Sequence, residues 1–460
     1  MVMNSRILVA RKTLTNTNIF LHSCPLVYWW QNILLALMKK YLIVSCLLAS
    51  FSLLNSNCAS SSSGKNPSVG YADSLNIGTK TNYADKKLIT GADQVTEYLG
   101  YLKGKKVGIL INQTSIIGNT PIVDSLVALG VNIVRIFGPE HGFRGTASNG
   151  DKVGDSVDPK TGISAISLYG KQKKPTKEQM ADLDLMIFDL QDVGTRFYTY
   201  INTLGHVMEA CAENNKEMLI LDRPNPNGFL IDGPILEDHL HSGIGMYKIP
   251  ISHGLTIAEF AQMINGEGWL PNKMQCKLKI IKVANYDHNA TYVLPVMPSP
   301  NLNTQQAIML YPDICLFEGT IISLGRGTYM PFTVLGAPLL KGKYKFSFTP
   351  QSIKGMSETP LHQNVECYGL DLRKYDISSL RKNKQLNLKW LIELYNAYPE
   401  KERFFDMSQS KQMGDINKLS GTENLKKQII AGVSENEIRK SWEPGLSEYK
   451  TMRMKYLLYK

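Results

Sequence analysis

No Gly-x-Gly-x-x-Gly turn follows any apolar run of this sequence, and no Gly-Lys-Ser or Gly-Lys-Thr loop occurs, so nothing in it is shaped to cradle a nucleotide phosphate. The His-Glu-x-x-His spacing of a zinc site is missing too, although His141, His206, His239, His241 and His253 accompany many acids. A Gly-x-Ser-x-Gly elbow is absent, which removes the usual serine nucleophile of an α/β hydrolase. Cysteine is sparse where it would matter. Of seven, Cys24, Cys46 and Cys58 lie at the amino-terminal end, and Cys211, Cys276, Cys315 and Cys367 are too far apart for a close redox or zinc pair. Those four read as buried thiols, with a disulfide among them left open. No cofactor and no metal are expected.

Long apolar runs are also lacking. The longest candidate, 41–54, is interrupted by Ser45 and Ser52 and falls short of the roughly 20 residues that span a bilayer. With Met38-Lys39-Lys40 before it and Asn57-Cys58-Ala59 after it, this run has the charged start, short apolar centre and small-residue exit of a secretory signal over 38–59. Residues 1–37 then read as an upstream extension, and 60–87 as a polar linker. Cys58, followed by Ser60 to Ser63, resembles the lipid-modified cysteine of a bacterial lipoprotein on its tether; plain cleavage near Ala59 is the other reading. The expected location is the periplasm, or a bacterial envelope membrane through a lipid anchor. The net charge of +11 suits an anionic partner, and export makes that an envelope polymer rather than nucleic acid. Scattered lysines such as Lys171, Lys173 and Lys174 read more readily still as a solvated surface.

A chain of 460 residues with 43% hydrophobic content has material for two domains. Apolar runs at 106–111, 132–137, 184–189 and 217–222 alternate with helical patterns at 120–129 and 201–214, the order of a parallel α/β layer. The fold class expected is α/β, with a Rossmann-like domain over 88–292. The proline-rich loop around Pro295, Pro298 and Pro300 opens a smaller α+β domain over 293–460 that completes a cleft. That second part carries a strand-like run at 314–317 and helical patterns at 388–398 and 422–431.

Each strand of the first domain ends in polar residues: Asn112, then Glu140-His141, then Asp189, then Asp222-Arg223. In an open parallel sheet such ends converge on one crevice. Glu140 sits on a turn with His141, Arg144 and three glycines, and a carboxyl in a half-closed crevice is raised toward the range useful to a general acid. Capping, or ion pairing with Arg144, is its structural alternative. His141 suits orienting Glu140, binding substrate, shuttling a proton or capping a helix. The segment 189–200 brings Asp189, Asp192, Arg196, Phe197, Tyr198 and Tyr200 together, the mixture of rings, carboxylates and guanidinium that sugars require. Phe197 reads as core and Asp192 as a turn residue. Arg223 and Asn225 lie on a rigid polar loop, Arg223 facing either a substrate carboxylate or a salt bridge to Asp222 or Asp189. Glu318 and Arg326 look like a matched pair at the same crevice, or a stitch between domains.

Taken in order, Gly138-Pro-Glu-His-Gly-Phe-Arg-Gly145, the run Asp189 to Tyr200, Asp222-Arg-Pro-Asn-Pro226, Pro298-Ser-Pro-Asn301, Phe317-Glu-Gly-Thr320 and Gly325-Arg-Gly-Thr328 resemble the NamZ-type exo-β-N-acetylmuramidases. The carboxyl-terminal runs Ile429 to Gly432, Ile438 to Trp442 and Lys455 to Tyr459 follow the same family's order. The resemblance implies hydrolytic release of N-acetylmuramic acid from the non-reducing end of peptidoglycan fragments, with disaccharides or muropeptides as substrates. It puts the family's Glu on Glu140 and its Arg-Phe-Tyr on Arg196, Phe197 and Tyr198, and it includes Asn301 in a family motif. An arginine would read the lactyl carboxylate of the sugar. Glu140 would protonate the leaving oxygen while water, Glu318, Asp189 or the substrate's acetamido group attacks the anomeric carbon. Ile321-Ile322-Ser323-Leu324 departs from the more polar family pattern. A muropeptide-binding protein without catalysis and a β-N-acetylglucosaminidase on the same fold are the rivals.

Overall fold

Strands apolar along their whole length must be covered on both faces, and the central sheet of this protein is built from such strands. The computed structural model describes residues 87–139, 142–144, 155–407 and 414–459. The strands are β1 (Val107–Ile111), β2 (Ile133–Gly138), β3 (Ser156–Val157), β4 (Ser164–Ser167), β5 (Leu185–Asp189), β6 (Glu217–Leu221) and β7 (Lys277–Ile281). Their order across the sheet is β7-β6-β5-β1-β2-β4-β3, parallel throughout except for the short edge strand β3. The chain begins at β1, moves outward through β2 and β4, then returns to the opposite side of β1 for β5, β6 and β7. The loops after β1 and β5 therefore diverge at a topological switch point, where open α/β sheets form their crevice.

The two-residue period of the strands sorts the core into two faces. Ile109, Ile111, Leu185, Ile187, Leu219 and Leu221 pack on one side with Tyr98 and Leu126. Leu110, Met186, Phe188, Met218 and Ile220 pack on the other, against α1 (Tyr200–Glu213) and α2 (Ile257–Gly266). Helix α2 starts on a capping box in which Thr256 accepts the Glu259 amide while Glu259 returns to the Thr256 amide. The second face continues without a break into the carboxyl-terminal part, through Leu310, Phe317, Leu391 and Tyr449. One core thus spans both halves of the sequence.

The smaller carboxyl-terminal part contains α3 (Gln305–Ile314) and an antiparallel sheet of β8 (Val334–Ala337), β9 (Phe346–Phe348) and β10 (Cys367–Asp371), with β10 in the middle. Helices α4 (Lys389–Ala397), α5 (Asn424–Ile430) and α6 (Glu435–Met454) complete it, the first two where the helical patterns lie. The strand-like run 314–317 is a correction. It is the end of α3 and a 3-10 turn over Cys315–Gly319, with Ile314, Cys315, Leu316 and Phe317 all buried. A short, wholly apolar run has no period to tell a strand from a helix enclosed on every side. Cys211, Cys276, Cys315 and Cys367 are buried free thiols.

The end of the chain is fastened to the first domain. The Tyr459 hydroxyl donates to Asp222 Oδ2 at 2.5 Å, the Ala258 amide at the start of α2 donates to Asp222 Oδ1 at 3.0 Å, and the Leu458 amide donates to Glu259. Burial raises the Asp222 carboxyl to about 7, against the opposing pull of these donors. Because the folded pKa lies above the unfolded one, the folded state binds the extra proton, and this contribution to stability declines as pH rises from about 4 to about 7. Urea unfolding across that range should show a shallower decline in Asp222→Asn than in the wild type, together with a loss of about 1–3 kcal/mol at low pH from the disturbed donors. An unchanged slope would remove Asp222 from the linkage.

Candidate active site

The loops leaving β1 and β5 are stitched to each other. Asn112 Nδ2 donates to the Tyr200 hydroxyl at 2.6 Å, and Asn112 Oδ1 accepts the Thr114 amide and hydroxyl. Thr114 Oγ1 in turn accepts the Gln191 amide, and Ser115 Oγ donates to the Asp189 carbonyl. From this floor a line of edge-to-face rings leads outward. Tyr198 stands 4.8 Å from Tyr200 and 5.9 Å from Tyr311, and Tyr311 stands 5.0 Å from Phe332. Over Phe332, at 5.0 Å, lies the Arg326 guanidinium, which donates through Nε and Nη2 to Glu318 Oε1 at 2.9 and 2.5 Å. The Tyr198 hydroxyl and the Gln113 amide both donate to the Pro298 carbonyl, which holds the proline-rich loop over the same place. Burial pushes the Tyr198 and Tyr311 phenols well above their ordinary range, so both remain protonated donors.

Asn112, Tyr198, Tyr200, Glu318 and Arg326 are therefore brought together. Glu318 and Arg326 pair with each other inside the carboxyl-terminal part rather than joining the two domains, and their side chains remain 21% and 14% exposed. Other candidates have gone elsewhere. Arg223 grips Asp189 with two bonds, Nε to Oδ1 at 2.5 Å and Nη2 to Oδ2 at 2.9 Å, and also donates to the Ile116 carbonyl. Both partners are buried, so the expected roles of Asp189 as attacking group and Arg223 as carboxylate reader give way to an ion pair beneath the floor. Arg196, fully buried, donates to the Pro234, Ile249 and Leu419 carbonyls, and burial pulls its guanidinium down to about 9. Its substrate role is replaced by that of a rivet between the domains. Gly421 makes room for it: a Cβ there would stand 2.4 Å from Arg196 Nη2.

Asp222 is committed to Tyr459 and α2. Asn225 donates to the Leu255 carbonyl and accepts the Asn227 amide, which makes it a buried loop staple. Arg144 forms a two-pronged pair with Asp158, both contacts to Nη2 at 2.8 Å, with Asp124 at 3.5 Å. Asn301 donates to the Met356 carbonyl, while its buried Oδ1 has no donor among the described residues. Glu140 and His141 lie outside the described residues. The departing segment is absorbed by the core, since Ile322, Ser323 and Leu324 are buried and only Ile321 is half-buried.

In the sequence His253 stands out only as one of several histidines without metal-ligand spacing, Gln113 does not stand out, and Asp192 reads as a turn residue. Asp192 Oδ2 does accept the Gly194 amide at 2.7 Å, as a turn residue would, but it also faces His253 Nε2 at 3.6 Å. His253 Nδ1 accepts the Leu255 amide, which leaves the ring proton of the neutral form on Nε2, toward Asp192. These two residues are far apart in sequence, and no local pattern announces their meeting. Neither of two recesses, one of about 550 Å³ around Tyr395 and Phe405 and one of about 180 Å³ between Pro234 and Trp442, involves the sheet edge.

Comparison with known proteins adds an independent line. Residues 107–306 match the family described as exo-beta-N-acetylmuramidase NamZ, N-terminal, and residues 309–459 match its C-terminal counterpart. Over 409 residues the sequence is 38% identical to the peptidoglycan beta-N-acetylmuramidase NamZ of Bacillus subtilis (strain 168), covering 84% of this chain and 95% of that protein. The crystal structure of a DUF1343 family protein from Bacteroides fragilis NCTC 9343 is similar with a TM-score of 0.74 at 42% identity, covering 82% of this chain and 99% of that one. A second DUF1343 family protein of the same organism gives a TM-score of 0.68 at 28% identity, covering 81% of this chain and 99% of its own.

Because both members of the Asp189 and Arg223 pair are buried, removing one charge strands the other. Asp189→Asn should destabilise the protein by about 3–5 kcal/mol in chemical denaturation. A double change to Asp189→Asn with Arg223→Met should restore part of that loss; a double variant no more stable than the single one would show that the pair is not the source.

Proposed function

The chain belongs to the NamZ family of exo-β-N-acetylmuramidases, and from that premise we propose that it is an exo-acting glycoside hydrolase. It releases N-acetylmuramic acid from the non-reducing end of peptidoglycan fragments during cell-wall turnover and recycling. The observation that carries this reading is the identity of 38% over nearly the whole length of the Bacillus subtilis relative. The crevice agrees in kind, since it joins tyrosine rings to a carboxylate and a guanidinium, the groups that hold a charged pyranose.

Roles follow from what each group is free to do. Glu140, two residues in sequence past the end of β2, a strand that pairs with β1, is the general acid that protonates the leaving oxygen. With Asp189 held by Arg223, the attacking group is water, Glu318 or the substrate's acetamido oxygen. Arg326 reads the lactyl carboxylate. Its claim over Arg196 and Arg223 rests on its partial exposure at the outer end of the ring line, whereas those two are buried. The cleft is the one between 88–292 and 293–460. Export to the periplasm, with or without a lipid anchor at Cys58, would bring the enzyme to its polymer, and the signal-like segment 38–59 supports it. No helix of the described residues is long and apolar enough to cross a membrane.

Assay of chromogenic N-acetylmuramic acid and N-acetylglucosamine glycosides side by side tests the whole reading. The wild type should prefer the muramic substrate, whereas binding without product release would sink the hydrolase and a glucosamine preference would sink the specificity. Glu140→Gln should lower kcat by about a hundredfold or more; near-wild-type turnover takes Glu140 out of the mechanism. In Arg326→Ala, KM for the muramic glycoside should rise while the glucosamine glycoside is affected less, so that the preference between them shrinks. Equal effects on both substrates would dissociate Arg326 from the lactyl group.

A further inference from the structure

The four buried cysteines are not equivalent. Cys315 meets the Tyr311 hydroxyl, and the Cys367 thiol donates to the Val365 carbonyl at 3.6 Å. Cys211 and Cys276 face each other, their thiols in hydrogen-bond contact. The backbone sets up this meeting independently. Cys211 lies in the last turn of α1, and its carbonyl accepts the Lys216 amide at 2.8 Å, one residue before β6 begins. Cys276 directly precedes β7, whose first residue, Lys277, pairs in parallel register with Glu217, the first residue of β6. Lys277 Nζ also donates to Asn215 Oδ1 at 3.0 Å, just past the end of α1. From α2, Asn265 brackets Cys276: its Oδ1 accepts the Cys276 amide at 3.1 Å and its Nδ2 donates to the Cys276 carbonyl at 2.8 Å. The end of α1 and the start of β7 are thus held side by side, with both thiols buried in one apolar cluster.

A disulfide needs two backbone positions that aim their sulfurs at each other, and among the four buried cysteines this pair alone has them. We propose that Cys211 and Cys276 join as a disulfide when the chain folds in oxidising surroundings. Where the chain meets such surroundings rests on the export reading; the choice of partners does not. One cysteine thiolate attacks the disulfide of the oxidant, a glutathione-type disulfide or a thiol–disulfide oxidoreductase, and releases one of its two thiols. The second cysteine thiolate then attacks the mixed disulfide, forms the Sγ–Sγ bond and releases the other thiol. Two protons and two electrons leave the protein, and the oxidant's disulfide is reduced to two thiols. The step belongs to folding. In the finished fold the Cys276 thiol and burial push the Cys211 thiol well above its ordinary range, so little thiolate is offered to an oxidant.

The bond braces the crevice. Strand β7 is the outermost of the sheet and pairs with β6 alone. The segment enclosed between the two cysteines contains β6, the loop with Asp222, Arg223 and Asn225, then His253 and α2. A link across so long a segment removes entropy from the unfolded chain and so stabilises the part of the floor which that segment supplies.

The test refolds the full chain from urea and reductant into a mixture of reduced and oxidised glutathione, quenches with acid, alkylates in denaturant and maps tryptic peptides by mass spectrometry. The peptide with Cys211 should appear joined to the peptide with Cys276, while Cys315 and Cys367 are alkylated. Alkylation of both Cys211 and Cys276, or a link from either to another cysteine, overturns the pairing. The oxidised chain should melt about 5 °C above the reduced one, and that difference should vanish in Cys276→Ser. Equal Tm in the two wild-type states overturns the bracing. Because the oxidant is supplied, a failure of the export reading leaves both results as they stand.

Discussion

A buried ion pair between Asp189 and Arg223 holds the carboxyl edge of the sheet in register. Asp189 ends β5, Arg223 lies just past β6, and the same guanidinium reaches the Ile116 carbonyl beyond β1, so three loops that would otherwise diverge are tied at one point. The tie is strong because it is dry: with both groups out of water, neither can trade its partner for solvent, and the cost of separating them is the cost of an uncompensated charge. On this base the loop after β1 is locked to the loop after β5 through Asn112, Thr114 and Ser115, and the tyrosines of the second loop take up their positions.

The site then divides into a floor and a wall with different physics. The floor belongs to the first domain, and its Asn112, Thr114 and Ser115 side chains are bonded within the protein, which makes it rigid. The wall comes from the carboxyl-terminal part and bears the partly exposed Glu318 and Arg326, groups still able to meet a solute. Among the fastenings that hold wall and floor together are the shared core face, the Arg196 rivet into the Leu419 carbonyl, and the Tyr459 hydroxyl on Asp222. A charged substrate meeting a preorganised crevice of this kind loses little to reorganisation.

Much of the architecture was legible in the chain before any coordinates. The runs at 106–111, 132–137, 184–189 and 217–222 became β1, β2, β5 and β6 to within a residue or so, because uninterrupted apolar runs between helical patterns suit a parallel sheet covered on both faces. The run at 314–317 was misread because it is short and buried on all sides, and there periodicity carries no information. At the site, several of the residues named from sequence are committed to partners inside the protein. Arg196 and Arg223 look from sequence like carboxylate readers, since a guanidinium next to rings and acids is what a sugar site contains. Whether such a group faces a ligand or a carbonyl depends on what packs over it.

What the sequence by itself determined is therefore the α/β layer, the convergence of its polar strand ends and the family whose motifs lie along it. Those properties are local or additive: hydrophobic period, turn residues and motif order do not depend on which distant segment lies alongside. Tertiary structure alone decided the partner of each charge. It withdrew Asp189, Arg196, Asp222 and Arg223 into the protein, joined Asp192 to His253, and left Glu318 and Arg326 at the surface of the crevice. The physical reason is that a charge is neutralised by whatever lies within a few ångströms, and for these residues that neighbour is supplied from as far as hundreds of positions away along the chain.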